Sequence, residues 1–419
     1  MMLPLIAAAL IGQGMAAAQP PAAPQSIPAQ TEPAWRDQAR EMSRKAAAWL
    51  ATQQDPATGG WSVPEADEQG RSTQPHLPGI TALVLTGLLD RAMAEGGQED
   101  ELPQPVLLGV KYLLNWQQPD GGIYDRALPS YNTSLAVSAL SRVQMPRARE
   151  AVNRSVSFLR SLQWSEFSDV AIGGAEAPRP VERNHPFYGG VGYGRHGRPD
   201  GSNLNLFMQA LEDAGVEPTD PAVRRALVFL QRLQMTDAVN DMPYADGSSQ
   251  GGFIYATVEN AQSVDGPAGQ SMAGSIEETL DDGTRVSRLR AYGSMTYAGF
   301  KSYLYADLAR DDPRVAAALE WIRRNYTVDE NPGMGSDGLY YYYVTFARAL
   351  AAWGEPTIAP PEGEPADAPG RDWRADLVAR LGAMQNDDGS FRSVDDRWME
   401  NNPVLITAYA LVALNAASK

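Results

Sequence analysis

The 419-residue sequence contains no cysteine. That removes disulfides, thiolate metal sites, thiol nucleophiles and lipidated cysteine in one step. Histidine is nearly as scarce: His76, His185 and His196 are the only three. None has the i, i+4 spacing of a helical zinc pair. Asp329 through Asp337 lacks the spacing of an EF-hand calcium loop, so no metal site is expected. Positive charge is also short, with 35 Lys and Arg against 51 Asp and Glu, a net −16. Nucleic acid and anionic lipid surfaces need clustered cations, and an adjacent pair such as Arg323-Arg324 falls inside a helical pattern. No nucleic-acid partner is expected. Beyond the N-terminus no stretch reaches the roughly 18 uninterrupted apolar residues of a membrane helix. Strand signals are nearly absent.

What is present starts with an apolar leader. Residues 1–18, MMLPLIAAALIGQGMAAA, end in small residues, with Ala16-Ala17-Ala18 an A-x-A cleavage site before Gln19. This pattern reads as a signal peptide, which places the mature chain in the periplasm or outside the cell with no integral span after cleavage. Residues 19–33, rich in Pro, Ala and Gln, read as a flexible linker.

From residue 34 to 419 one unit recurs: an amphipathic helix, a glutamine, a glycine-containing turn, then a more apolar helix. The first helices carry apolar residues at helical spacing, as in Val106, Val110, Leu113 and Gln117, or Val223, Leu227, Leu230 and Gln234. The fifth series ends differently, in Val315, Leu319, Ile322 and Tyr326. The second helices, such as ITALVLTGLL from Ile80 and LITAYALVAL from Leu405, have almost no charge and many small residues. A helix apolar nearly all round packs between neighbours. Six of each predict an all-α fold, an α/α toroid of six outer and six inner helices. The connections 165–199, 237–290 and 354–371 exceed what joining helices requires. The last reads as a solvated rim, and 237–290 as a mobile lid returning at Tyr292.

The turn reads Gln54 with Gly59-Gly60-Trp61, Gln118 with Gly121-Gly122-Ile123, Gln234 with Gly251-Gly252-Phe253, and Gln385 with Gly389-Ser390-Phe391. These copies resemble the QW repeat of squalene-hopene cyclases and related members of the terpenoid cyclase and protein prenyltransferase superfamily. The resemblance implies that each glutamine bonds to the start of the next helix while the ring stacks on the turn. It does not bring the family's chemistry with it. The cyclase proton donor resembles DxDDTA at an inner-helix start, yet Pro403-Val404-Leu405-Ile406 precede Thr407-Ala408, and Leu77-Pro78-Gly79-Ile80 precede Thr81-Ala82. Asp395-Asp396 is followed by Arg397-Trp398 and preceded by Ser393 in place of the first Asp. The prenyltransferase zinc site needs a cysteine. The Gly-rich stretch NHPFYGGVGYGRHGRPDG precedes no strand–helix unit, so it reads as surface, and no cofactor is expected.

Inner helices of a toroid run the same way, so their first turns gather at one end. The candidate ligand-binding residues there are Tyr131, Asp200, Tyr292, Tyr297, Asp337 and Tyr341. The expected function is binding of an extended apolar or amphiphilic molecule, an isoprenoid, lipid or glycan, in a central cavity. The alternatives are a divergent isoprenoid cyclase or isomerase, a polysaccharide-active hydrolase or lyase, and a protein-binding scaffold. A glycosidase would need two carboxylates across a cleft. Asp200, Asp337 and Glu400, with Glu259, Asp281 and Asp282, are the acids available, each of which also reads as a turn or cap.

Overall fold

The computed structural model describes residues 33–65, 72–94, 96, 102–167, 180–194, 198–258, 271–280, 282–365 and 368–418. The leader 1–18, nearly all of the linker 19–33, and His196, Glu259 and Asp281 lie outside the described residues. Ala34–Lys419 forms one compact unit.

Among the described residues there are twelve α-helices. The outer ones are α1 (Ala34–Thr52), α3 (Gln104–Asn115), α5 (Pro146–Ser161), α7 (Pro221–Leu233), α9 (Pro313–Arg324) and α11 (Trp373–Met384). In α3, α5, α7 and α9 a proline in the first turn supplies a helical φ at a position needing no N–H. Asp220, Asp312 and Asp372 cap α7, α9 and α11 through the N–H groups of Ala222, Arg314 and Ala375. The inner ones are α2 (Pro78–Ala94), α4 (Pro129–Leu140), α6 (Gly201–Asp213), α8 (Gly293–Tyr305), α10 (Leu339–Trp353) and α12 (Pro403–Ser418). Burial follows the charge pattern. Every residue of α4 except Tyr131 is buried, whereas α5 buries the stripe Ala148, Ala151, Val152, Ser155, Val156, Phe158 and Leu159. Each inner helix packs on the next, and α12 returns to α2, closing an α/α toroid.

The seam between repeats is a buried amide. Gln54 Nε2 donates to Gly59 O of its own turn and to Pro105 O at the start of α3, both at 2.8 Å. Gln163 repeats this with Gly189 O and Ala222 O at 3.0 and 2.9 Å, and Gln234 with Gly251 O and Arg314 O at 2.9 Å. Gln385 bonds to Gly389 O and back to Met42 O of α1 at 3.0 Å, which closes the outer ring. In the second repeat Gln117, not Gln118, makes the bridge, to Gly121 O and Ala151 O. In the fifth, Tyr326 substitutes, its hydroxyl reaching Asp376 of α11 at 2.8 Å.

The first turn glycine makes that approach possible. Gly59, Gly121, Gly189, Gly251 and Gly389 all have φ between +79° and +95°. A Cβ on any of them would come within 2.8 Å of a backbone oxygen of the next outer helix, and within 1.8 Å at Gly189. The residue two places on is buried, and its N–H donates to an inner-helix threonine: Trp61 to Thr81, Ile123 to Thr133, Phe253 to Thr296 and Phe391 to Thr407. Gly189-Gly190-Val191 is therefore a third copy of the turn, and the surface reading of that Gly-rich stretch is corrected. Its Gln163 lies 26 residues upstream, which hides the motif.

The 237–290 segment also differs from expectation. It contains an antiparallel hairpin, β1 (Ser275–Thr279) with β2 (Arg285–Leu289), around a turn at Gly283. Arg288 is buried and donates to Tyr244 O and Asp246 O, while Glu278 accepts from Ser248 and Gln250 at 2.9 Å. Tyr244 is fully buried, with its hydroxyl on Arg232 O. The described part is thus anchored at Arg288, Glu278 and Tyr244, although β1 is largely exposed.

Replacing Gln163 by Ala leaves two carbonyls inside the seam without their donor, each costing roughly 1–3 kcal/mol. Chemical denaturation should show a loss of about 2–5 kcal/mol for Gln163→Ala but within about 0.5 kcal/mol for Gln53→Ala, whose amide is exposed. Equal effects would contradict a structural role for the bridge.

Candidate functional site

All six inner helices contribute their first turns to one cavity of about 180 Å³. Its wall includes Leu77 and Ile80 at α2, Leu128 and Tyr131 at α4, and Ser202 at α6. Tyr292, Ser294 and Met295 line it at α8, Gly338 and Tyr341 at α10, and Leu405 and Tyr409 at α12. Connecting segments add Tyr193, Tyr255, Asn331, Trp398, Met399 and Glu400.

Six tyrosines thus face one space, and their hydroxyls are partly paired. Tyr131 and Tyr409 share a hydrogen bond at 3.3 Å, and Tyr341 Oη accepts from Ser202 Oγ and Asn205 Nδ2, both at 3.1 Å. Burial pushes the Tyr341 phenol up to about 12 and holds Tyr131, Tyr193, Tyr255, Tyr292 and Tyr409 above the usual range. All six are neutral donors at neutral pH.

Glu400 is the single carboxylate among the described lining residues. It is 1% exposed and accepts the N–H groups of Tyr341 at 2.9 Å and Tyr340 at 3.3 Å, so it caps α10 from across the mouth. Burial raises it to about 7, against the lowering effect of those N–H groups, with the Asp395 charge adding to the rise. Asp200 is buried beneath the wall rather than in it. Its oxygens accept Asn203 N and Asn203 Nδ2 at 2.8 Å, which makes it the N-cap of α6. Burial raises it to about 6.

A strap of residues 395–402 crosses the mouth. Trp398 and Met399 both hold left-handed backbone, with φ of 52° and 64°, and are 46% and 41% exposed. The Trp398 ring lies over Gly338, where an added Cβ would meet it at 3.1 Å. Arg397 anchors the strap to Asp337 through an ion pair and stands 4.5 Å from the Trp398 ring centroid.

Of the sequence candidates, Tyr131, Tyr292 and Tyr341 line the cavity. Asp200 caps the helix behind it, and Asp337 holds the strap from outside. Tyr297 is displaced from the expected site: it is fully buried and packs on Phe346 and Tyr342 at 5.0 and 5.6 Å between helices. Five residues beyond Tyr292, it points away from that side chain by more than a quarter turn. The lining residues from connecting segments were missed for a different reason. Tyr193, Tyr255 and Trp398 come from connections, where periodicity gives no direction. Tyr193 and Trp398 fall shortly before α6 and α12, whereas Tyr255 lies far upstream of α8 and carries no such signal. His76 bonds Tyr112 Oη at 3.1 Å and His185 stacks on Trp164, both away from the cavity lining. Asp282 is exposed and accepts Thr284 N in the hairpin turn.

No protein-family model matches the sequence, and no curated protein matches it. Solved structures do. A D-mannose isomerase superposes with a TM-score of 0.54 at 11% identity, covering 93% of this chain and 99% of that one. A family 76 glycoside hydrolase from a bovine Bacteroides thetaiotaomicron strain gives 0.51 at 10% identity, covering 90% and 77%. A type II terpene cyclase from Scytonema matches at 14% identity over 92% and 98%, with a TM-score of 0.33. At these identities the likeness is one of fold.

The two raised carboxyls fix a sign for pH dependence. Unfolded, Glu and Asp titrate near 4.3 and 3.9. Their folded values are higher, so the stability linked to them is complete below about pH 4 and is lost as pH rises toward about 7. Between pH 4 and 8 the wild type should lose more unfolding free energy than Glu400→Gln, by on the order of 3 kcal/mol. Urea titrations giving parallel pH profiles would show that Glu400 is not held out of water.

Proposed function

We propose that the central cavity binds an apolar or amphiphilic molecule and does not carry out class II cyclase chemistry. The observation that carries this reading is the convergence of six inner-helix starts on a tyrosine-walled space with a single carboxyl at its mouth. A cavity of about 180 Å³ lies below the roughly 300–1,000 Å³ common for ligand sites, so the ligand is compact unless the strap lifts. An extended isoprenoid needs that movement. The cavity gives less support to a glycosidase, which needs two carboxyls across the scissile bond. Asp200 is spent on its own cap, and Glu400 has no lining partner among the described acids.

The neutral fluorophore N-phenyl-1-naphthylamine tests this. It should bind saturably, be displaced by farnesol but not by mannose or cellobiose, and bind about tenfold more weakly to Leu77→Trp, which fills the wall. Absence of binding, or equal binding by the variant, refutes the cavity as the site. Displacement by the sugars alone would move the reading to a carbohydrate ligand.

We also propose that the protein is exported, with residues 1–18 removed as a signal peptide. Intact-mass analysis of the protein from its native host should give a chain beginning near Gln19 in a periplasmic or secreted fraction. A full-length chain in the cytosol refutes export.

A further inference from the structure

The lining of this cavity is chemically one-sided. It contains six tyrosines, one tryptophan and one carboxylate, and among the described lining residues no lysine, arginine or histidine. The Arg397 guanidinium, close enough to act on Tyr292, is turned to Asp337 and the Trp398 ring. Aromatic walls with an acidic group are the chemistry that holds an organic cation, because ring quadrupoles and a carboxylate both attract positive charge.

Six helix N-termini at the same mouth would oppose a cation if their N–H groups were bare. They are largely answered from within the protein. Asn132 Oδ1 accepts Gly79 N of α2 at 2.8 Å, and Asn331 Oδ1 accepts Ser294 N of α8 at 2.9 Å. Asn402 Oδ1 caps α12 through Val404 N and Leu405 N. Asp200 and Glu400, both carboxylates, do the same for α6 and α10. The helix ends thus contribute little positive field, and two buried acids lie around a space whose described lining holds no cation. A carboxylate offers about four acceptor positions, so the two N–H groups on Glu400 leave acceptor capacity for a ligand.

We infer that the ligand's head is a substituted ammonium ion, held among Tyr131, Tyr292, Tyr341, Tyr409 and Trp398 with Glu400 as its counter-charge. This rests on the cavity being the binding site and narrows the amphiphile to a cationic one. The chain's net −16 would also draw cations toward it.

Choline and its uncharged carbon isostere 3,3-dimethyl-1-butanol separate charge from shape. Titration calorimetry on the wild-type chain at pH 8 should show choline binding about tenfold or more tighter than the alcohol. Glu400→Gln should weaken choline by about tenfold while leaving the alcohol unchanged. Tyr409→Leu, which keeps the apolar wall and Glu400, should weaken choline alone. Equal affinity for the two probes, or an alcohol preference, overturns the cationic assignment. So does binding of N-phenyl-1-naphthylamine without choline; in either case the apolar cavity still stands. If neither the naphthylamine nor choline binds, the cavity reading falls as well.

Discussion

A helix pair that buries only part of its inner helix has no core of its own, so this fold depends on the seam between one pair and the next. That seam is carried by a side-chain amide whose two N–H groups satisfy one carbonyl in its own turn and one at the next outer helix. The geometry is demanding, because the turn must come close enough for both bonds. Only a residue without Cβ fits where Gly189 and Gly251 meet the backbone of α7 and α9. At about 1 kcal/mol net per hydrogen bond, five bridging glutamines amount to a large share of the roughly 5–15 kcal/mol that stabilises a protein. Gln385 ties the last turn to α1, so removing one seam opens a ring rather than shortening a stack.

Ring closure also decides where chemistry can occur. Once every inner helix runs the same way, their first turns meet at one end, and residues at equivalent positions of different repeats become neighbours. Tyr131 and Tyr409, 278 residues apart, share a hydrogen bond for this reason. The helix starts need acceptors, and those acceptors come from neighbouring repeats: Asn132 for α2, Asn331 for α8, Glu400 for α10. The polar groups of the cavity are therefore structural groups first.

The repeated seam was readable because it is local. Glutamine, glycine and an apolar residue at short spacing, between an amphipathic and an apolar helix, identify the toroid without any long-range information. Reading failed where locality failed. Gln163 and Gly189 are separated by an insertion, and adjacent glutamines at 117 and 118 cannot be told apart without knowing which one faces the seam. At the site, convergence of Tyr131, Tyr292 and Tyr341 followed from helix direction alone, whereas Tyr297 required the rotation of α8 about its axis. The strap escaped entirely. Its position depends on Arg397 meeting Asp337 and on Trp398 resting on Gly338, contacts across 60 residues that no pattern encodes.

Glu400 joins the two halves of the problem. As a cap it is best ionised, because charged acceptors bind the α10 N–H groups more strongly than neutral ones. As a buried wall residue it is best neutral, and burial wins, raising the group to about 7. Anything that supplies positive charge inside the cavity relieves that conflict, strengthening the cap and the strap that carries Glu400 at the same time. The left-handed backbone at Trp398 and Met399 sits in the same strap, two residues of a kind that costs about 1–2 kcal/mol each. That cost is met by the Arg397–Asp337 ion pair, the Trp398 ring resting on Gly338, the buried Glu400 cap and the bond from Asn402 Nδ2 to Ser62 Oγ at 3.1 Å. The mouth is therefore where burial and helix capping meet in a single side chain, Glu400.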